Sequence, residues 1–143
     1  MNPNETATVS VARDINNMHA HFGVHEALRS LTKEQLIEFV SFRLKFLQEE
    51  LNEGLKALEE KSAEELVDSM IDLAVVSVGT LDLFEVNFDL GWTEVLEANL
   101  AKEAGVNPTR PNKFGLPDLI KPEGWTAPSH EGNHGLFAEI FKA

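Results

Sequence analysis

The residues best suited to chemistry are carboxylates that recur on two neighbouring segments of the chain. The first group is Glu49, Glu50 and Glu53, and the second, after a short gap, is Glu65, Asp68 and Asp72. No lysine or arginine occurs between Ser62 and Lys102, so a buried carboxylate there needs a partner from another element or a cation. Converging oxygen ligands without a nearby His or Cys suit a hard ion. We therefore expect Mg²⁺ as the cofactor, with Mn²⁺ as a second possibility.

The first group lies on a long predicted helix. Thr32 and Gln35 form a capping-box pattern that opens this helix, and the apolar pattern continues to about Glu60. Residues at spacings of three and four predict one buried stripe, which consists of Leu36, Val40, Leu44, Leu47, Leu51, Leu55 and Leu58.

A second stripe of the same helix carries phenylalanines and leads into the acidic residues. Phe39, Phe42 and Phe46 are followed on the same face by Glu50 and Glu53. Glu49 falls nearer the solvent side of the helix. An exposed aromatic patch of this size is unusual in a monomer, so the phenylalanine stripe predicts self-association as a homodimer or homotetramer.

The second group lies on a predicted helix that folds back on the first. Ser62 is the expected cap of this helix, with Glu65 at its third position, and the apolar run extends to Phe84. Asp68 and Asp72 lie four residues apart and share a face. A turn at Lys61-Ser62 places positions near 70 to 73 opposite Glu50 and Glu53. This favours Asp72 and Asp68 as ligands and leaves Glu65 as either a cap or a ligand.

The rest of the chain predicts flanking helices and an irregular tail. Residues 5–22 read as an amphipathic helix that carries Val9, Val11, Ile15 and Met18. Residues 23–31 read as a connection, Gly91 and Trp92 as a break, and 93–104 as a fourth helix. Five prolines between 108 and 128 predict an extended strap over 106–143. The prediction is an all-α fold with a four-helix core over about 5–105, in a single domain over 1–143.

Composition excludes several classes of function. The formal net charge of −12 argues against binding to nucleic acid or an anionic membrane through general charge. The chain has no cysteine, which excludes disulfides and thiolate chemistry. The first residues lack a basic region followed by an apolar run, and charges interrupt every apolar stretch before a membrane span is reached. We expect a cytoplasmic protein.

These motifs resemble those of a known family. Glu49-Glu50-x-x-Glu53, followed by Glu64-Glu65-Leu66-Val67-Asp68, resembles the EExxE…ExxD signature of MazG-like all-α nucleoside triphosphate pyrophosphohydrolases. Further segments resemble the smaller phage and phosphoribosyl-ATP-pyrophosphohydrolase-like branch of that family. They are Arg43-x-x-Phe46-Leu47, Val67-Asp68-x-x-x-Asp72-Leu73, Val78-Gly79-Thr80, Asn99-x-x-Lys102 and Lys121-Pro122-Glu123-Gly124-Trp125. The resemblance covers most of residues 10 to 130.

The resemblance implies hydrolysis of a (deoxy)nucleoside triphosphate between its α and β phosphates, in control of the deoxynucleotide pool. It implies Glu50, Glu53, Asp68 and Asp72 as metal ligands, with Glu65 in doubt because the gap after Glu53 is short for the family. Glu49, or one of the ligands such as Glu50, is the implied base that acts through water. Lys102, and less directly Lys113 or Lys121, are implied phosphate contacts, and Asn99 is an implied hydrogen-bond donor.

The resemblance further implies that the N-terminal helix and a neighbouring subunit form most of the pocket for the base and sugar of the nucleotide. Candidates for it are Asn16, His19, Phe22, Trp92 and Trp125, although a core position is the favoured interpretation of Phe22 and Trp92. His19, His21 and His25 cluster in sequence, but no acidic residue is spaced near them as in a zinc site. The residues also allow two other functions to be compared with this one. A non-catalytic acidic helical interaction module stays open, whereas a di-iron bundle would need Glu-x-x-His pairs that the helices lack.

Overall fold

The structure, a computed structural model, describes residues 9–110 and 113–143. The described residues contain six helices and one small sheet, which confirms the all-α class. They form two compact units. The first unit comprises the described residues up to Phe88 together with His134–Ala143, and the second is Asp89–Asn133.

The first unit is built from five helices around a small aromatic core. The helices are α1 (Val11–His21), α2 (Val24–Arg29), α3 (Lys33–Glu59), α4 (Ala63–Leu83) and α6 (Phe137–Ile140), and α5 belongs to the second unit. Phe84, directly after α4, is fully buried, and its ring stacks on Phe137 with centroids 4.5 Å apart. Leu28 and Ile140 complete this core, so the short helices α2 and α6 are held at the end of the α3–α4 hairpin.

Local capping sets the ends of the two long helices, as the sequence predicts. Thr32 Oγ1 accepts from the Gln35 N–H at 3.2 Å, and Gln35 Oε1 accepts from the Thr32 N–H at 2.9 Å. Ser62 Oγ accepts from the Glu65 N–H at 3.2 Å and opens α4. Lys61 lies between the helices with φ of 56° and reverses the chain. The capping box at Thr32, the end of α3 near Glu60 and the turn at Lys61-Ser62 are therefore confirmed.

The predicted leucine stripe is only partly buried. Leu36 and Val40 pack against the aromatic core, and Leu47 is half-buried. Leu44, Leu51, Leu55 and Leu58 are all exposed in the single chain. The buried residues of α3 are instead Glu50, Gly54 and Ala57. A Cβ on Gly54 would come within 2.9 Å of Ser69 Oγ, so the absence of a side chain lets α3 and α4 approach closely. The prediction of the buried face was therefore wrong for the C-terminal half of α3, where the small residues Gly54 and Ala57 are buried and the leucines are not.

The phenylalanine stripe is also only partly exposed. Phe39 stacks on Phe84 at 6.2 Å and packs against the aromatic core. Phe46 is half-buried, with the Arg43 guanidinium 5.9 Å from its ring centroid. Phe42 remains 61% exposed. The expected solvent-facing patch of three phenylalanines is therefore reduced to Phe42.

The N-terminal segment differs in detail from its prediction. α1 begins at Val11, with Ser10 accepting from the Arg13 N–H, and residues 5–8 of the predicted helix lie outside the described residues. Ile15 is buried, whereas Met18 is exposed. The segment expected to be a connection contains the helix α2, whose Leu28 joins the core.

The second unit contains α5 (Phe88–Leu100), which starts at the last residue of the first unit, and two short strands. α5 includes Gly91 and Trp92, so these residues do not break the chain, and it ends before the predicted limit of 104. β1 (Glu103–Gly105) pairs antiparallel with β2 (Asp118–Ile120), so the strap also contributes regular structure. In the part of the chain that the structure describes, no helix combines the length and apolarity required to cross a membrane.

Candidate active site

The carboxylates of α3 and α4 differ sharply in environment. Glu50 is buried, with 8% of its surface exposed, and its Oε2 atom has no hydrogen-bond partner among the described residues. Glu53 is exposed one turn further along α3. On α4, Asp72 is half-buried and Asp68 is exposed. Glu50 is therefore the inner member of the set, and its free oxygen is the clearest sign of a missing positive partner.

The charges around Glu50 act on its protonation. Desolvation by burial raises its pKa, and the negative charges of Glu53, Asp72 and Asp68 raise it further, together with a side-chain hydrogen bond to Glu53. Gly54 on α3 lies against Ser69 on α4. This close approach brings the acidic residues of the two helices together, as expected from a turn at Lys61-Ser62. The two helices thus concentrate negative charge on one face.

This donor set fits a hard divalent cation. It offers only carboxylate oxygens, one of them buried and unpartnered. No three of these carboxylates have ligand atoms within 4.8 Å of one another in the described residues, so the helices gather the groups without closing a ligand set. Glu50, Glu53, Asp68 and Asp72 are the residues that would hold Mg²⁺ or Mn²⁺.

Two other predicted residues lie at the margin of this face. Glu49 is exposed, next to the buried Glu50. Glu65 is exposed in the first turn of α4, and its backbone N–H is the group that Ser62 caps. The charges that raise the pKa of Glu50 include those of Asp72 and Asp68 on the same helix.

Arg43 on α3 and Gly79 on α4, which both belong to the motifs singled out in the sequence, lie at a second contact between these two helices. Arg43 Nε donates to Thr80 Oγ1 at 2.9 Å, and its Nη2 donates to the Val76 carbonyl at 3.1 Å. A Cβ on Gly79 would lie 3.0 Å from Arg43 Nη2 and 3.3 Å from His19 Cε1. Gly79 therefore lets both side chains lie against α4, and the Arg43–Thr80 hydrogen bond links α3 to α4.

A second polar cluster lies further along α4, around Asp82. Asp82 Oδ2 contacts His19 Nδ1 at 2.6 Å and His25 Nε2 at 2.8 Å, and Asn16 Nδ2 donates to Oδ1 at 2.8 Å. Burial raises the pKa of Asp82, but the hydrogen bonds from His19, Asn16 and His25 outweigh it and lower the pKa below its ordinary value.

The sequence analysis missed this cluster. The interpretation that the histidines lack an acidic partner was wrong, because Asp82 comes from α4, more than 50 residues away. The available signal was Asp82 itself, a carboxylate in an apolar helix with no nearby lysine or arginine in sequence.

The Asp82 cluster borders a cleft of about 800 Å³ in the first unit. Asn16, His21, Phe22 and Arg29 are among its lining residues. Phe22 is 72% exposed at this cleft, and Trp92 in the second unit is 58% exposed, so the interpretation of both as core residues was wrong.

The remaining predicted site residues belong to the second unit, where three of them meet. The ammonium groups of Lys102 and Lys121 lie 5.2 Å and 5.0 Å from the centroid of the Trp125 ring, and Trp125 Nε1 donates to the Ala98 carbonyl at 2.7 Å. Asn99, next to Ala98, is half-buried. Trp125 thus gathers two lysines into one cationic group. Lys113 instead lies over the Phe114 ring.

The sequence was compared with models of known protein families, and one family model matches it. The all-α fold is consistent with that of the all-α NTP pyrophosphatases. The family model for phosphoribosyl-ATP pyrophosphohydrolase matches residues 24–99, more than half of the chain. The chain belongs to this family, which is part of the MazG-like all-α NTP pyrophosphatase superfamily. No curated protein matches the chain in a sequence comparison. Family membership supports a pyrophosphohydrolase that acts on an acid anhydride.

Proposed function

We propose that the protein is a Mg²⁺-dependent pyrophosphohydrolase that converts (deoxy)nucleoside triphosphates to the monophosphate and pyrophosphate. The observation that carries this proposal is the buried Glu50, which has an unpartnered oxygen and three carboxylate neighbours. Such an arrangement is unfavourable without a cation, and a divalent ion with a polyphosphate is the natural complement. We propose Glu50, Glu53, Asp68 and Asp72 as the ligands, in a cytoplasmic enzyme whose residues 1–143 act as one domain.

The reaction divides between the ion and the protein groups. The bound ion would neutralise charge on the phosphate oxygens. Glu49 or Glu50 accepts the proton of the attacking water, and the anhydride bond between the α and β phosphates breaks as pyrophosphate leaves. Without an ion, burial and like charge raise the pKa of Glu50 and favour its protonated form. A bound cation would favour the ionised carboxylate, which can act as a ligand or accept a proton.

The cationic group of the second unit is the proposed phosphate contact. Lys102 and Lys121 are held on Trp125, and Asn99 lies beside the backbone group that anchors this ring. We propose that the two ammonium groups bind phosphate oxygens as point charges and that Asn99 donates a hydrogen bond. Asn16, which lines the cleft of the first unit, is a proposed contact to the nucleoside, and Trp125 is proposed as a substrate contact of the second unit. Control of the deoxynucleotide pool is the proposed physiological role.

The test is pyrophosphate release from a panel of canonical and modified ribo- and deoxynucleoside triphosphates with Mg²⁺. The proposal expects release of monophosphate and pyrophosphate in equal amounts from at least one substrate. Folded protein that releases pyrophosphate from none of them contradicts it. The alternative of an acidic interaction module predicts instead that Asp72→Lys abolishes binding to a basic partner without changing metal affinity.

We also propose that the protein self-associates, through the leucine face of α3 and not through the phenylalanines. Leu44, Leu51, Leu55 and Leu58 are exposed, and α4 adds the exposed Val67, Met70 and Ile71. Apolar surface of this extent is unusual on a monomer. Light scattering should give a dimer or tetramer for the wild type and a smaller species for Leu51→Glu. Phe42→Glu is the matched control on the other stripe, and a monomeric wild type at working concentration would refute the proposal.

A further inference from the structure

The histidine-rich cluster on Asp82 is a candidate metal centre separate from the carboxylate face. One nitrogen each from His19 and His25 and one oxygen from Asp82 lie within 4.8 Å of one another. Asp82 follows Asp72 by ten residues, which separates the two positions by about 15 Å along α4. The two sets of side chains therefore cannot share one ion. From this geometry we propose that His19, His25 and Asp82 form a second metal site, which selects a divalent transition ion of the zinc type.

The chemistry of the donors decides the class of ion. Two imidazole nitrogens and one carboxylate oxygen suit Zn²⁺ and its first-row neighbours, whereas Mg²⁺ prefers oxygen ligands alone. The carboxylate face of α3 and α4 offers the opposite set. The chain thus presents two sites that differ in ligand softness.

The surroundings of the cluster match those of a metal site. His19 is buried, and Gly79 leaves room for its ring against α4. Asn16 donates to the other oxygen of Asp82 and thereby orients the carboxylate, as outer partners of metal ligands do. The three ligands come from α1, α2 and α4, so a bound ion would tie the two N-terminal helices to the central hairpin.

The present distances require only a small opening of the cluster. The two histidine nitrogens lie 2.6 Å and 2.8 Å from Asp82 Oδ2. Tetrahedral ligands at zinc bond lengths lie about 3.4 Å apart, so each separation must increase by about 0.6 to 0.8 Å. The exposed cleft beside His25 leaves a fourth position for water.

The test is titration of the full chain with Zn²⁺ at saturating Mg²⁺, followed by calorimetry, with Co²⁺ absorption as a report of nitrogen ligation. The proposal expects one equivalent of Zn²⁺ per chain. His25→Gln, which keeps a donor toward Asp82 but removes the imidazole, should lower the affinity at least about 100-fold, and Asn16→Ala about 10-fold. Helical circular dichroism verifies that each variant is folded.

Two matched controls define the site. His21 lines the same cleft but lies outside the cluster, so His21→Ala should bind Zn²⁺ as the wild type does. Asp72→Asn removes a member of the carboxylate face and should also leave Zn²⁺ binding unchanged. The proposal is overturned if the folded wild type binds no Zn²⁺, if His25→Gln retains full affinity, or if Asp72→Asn is the variant that loses it. Because the assay measures zinc alone, its result is independent of the proposed hydrolytic activity.

Discussion

Glu50 and Asp82 are both largely buried carboxylates of the α3–α4 hairpin, yet their environments are opposite. Glu50 has acidic neighbours and an oxygen without a partner, and its pKa is raised. Asp82 is bonded by two histidines and an asparagine, and its pKa is lowered. The difference teaches that burial alone does not define a site. Glu50 has an oxygen without a partner among the described residues, whereas the histidines that already contact Asp82 are the side chains that we propose join it around an ion of a different class.

The largest expected effect is on catalysis, and it should follow from substitutions of Glu50 and the carboxylates around it. Glu50→Gln or Asp72→Asn should lower kcat/KM for pyrophosphate release by about 100-fold or more, because each change removes a proposed ligand to the ion. Glu59→Gln, an exposed change near the end of the same helix, is the control and should keep wild-type activity. Equal activity in Glu50→Gln and Glu59→Gln would remove Glu50 from the site.

The second effect is on stability, and it should be confined to the Asp82 side. Asp82→Asn removes the charge that accepts from three side chains, so it should lower the free energy of unfolding by about 1 to 3 kcal/mol. Chemical denaturation of metal-free protein measures this loss. The exposed Asp14→Asn serves as the control on α1. An unchanged unfolding midpoint in Asp82→Asn would show that these hydrogen bonds do not stabilise the fold.

The smallest effect is on the pH dependence of stability, which should have opposite signs for Glu50 and Asp82. The pKa of folded Glu50 lies above its ordinary value of 4.5, so its contribution to metal-free stability falls as pH rises from 4.5 through the folded pKa. The pKa of folded Asp82 lies below its ordinary 3.8, so its contribution is present above that value and is lost as pH falls through the folded pKa.

Metal-free Glu50→Gln should therefore melt a few degrees higher than the wild type at neutral pH, and the advantage should shrink toward pH 4. Thermal melts monitored by circular dichroism across this range provide the measurement. A Glu50→Gln variant that is less stable than the wild type at neutral pH would indicate that the glutamate has a stabilising partner.

Sequence patterns predicted those parts of the fold that depend on neighbours in the chain. The caps at Thr32 and Ser62 connect residues three apart, so the helix ends follow from local sequence. The all-α class follows in the same way from periodicity. The turn at Lys61-Ser62 predicts that Asp72 lies opposite Glu50, and Asp72 is one of the carboxylates that raise the pKa of Glu50.

The parts that the sequence did not predict depend on distant contacts. α3 carries apolar residues on more than one face, and periodicity does not say which face meets α4. Gly54 and Ala57 carried the relevant signal, because small residues allow helices to approach. The partners of Asp82 lie more than 50 residues away, so spacing along the chain could not reveal them.

The central claim is that the charge around Glu50 binds a divalent ion, and calorimetric titration with Mg²⁺ tests it most directly. The account predicts that the wild type and Glu59→Gln bind Mg²⁺ with equal affinity, and that folded Glu50→Gln binds at least about 10-fold more weakly. Equal Mg²⁺ affinity in Glu50→Gln and the wild type, or no binding by the folded wild type, would contradict it.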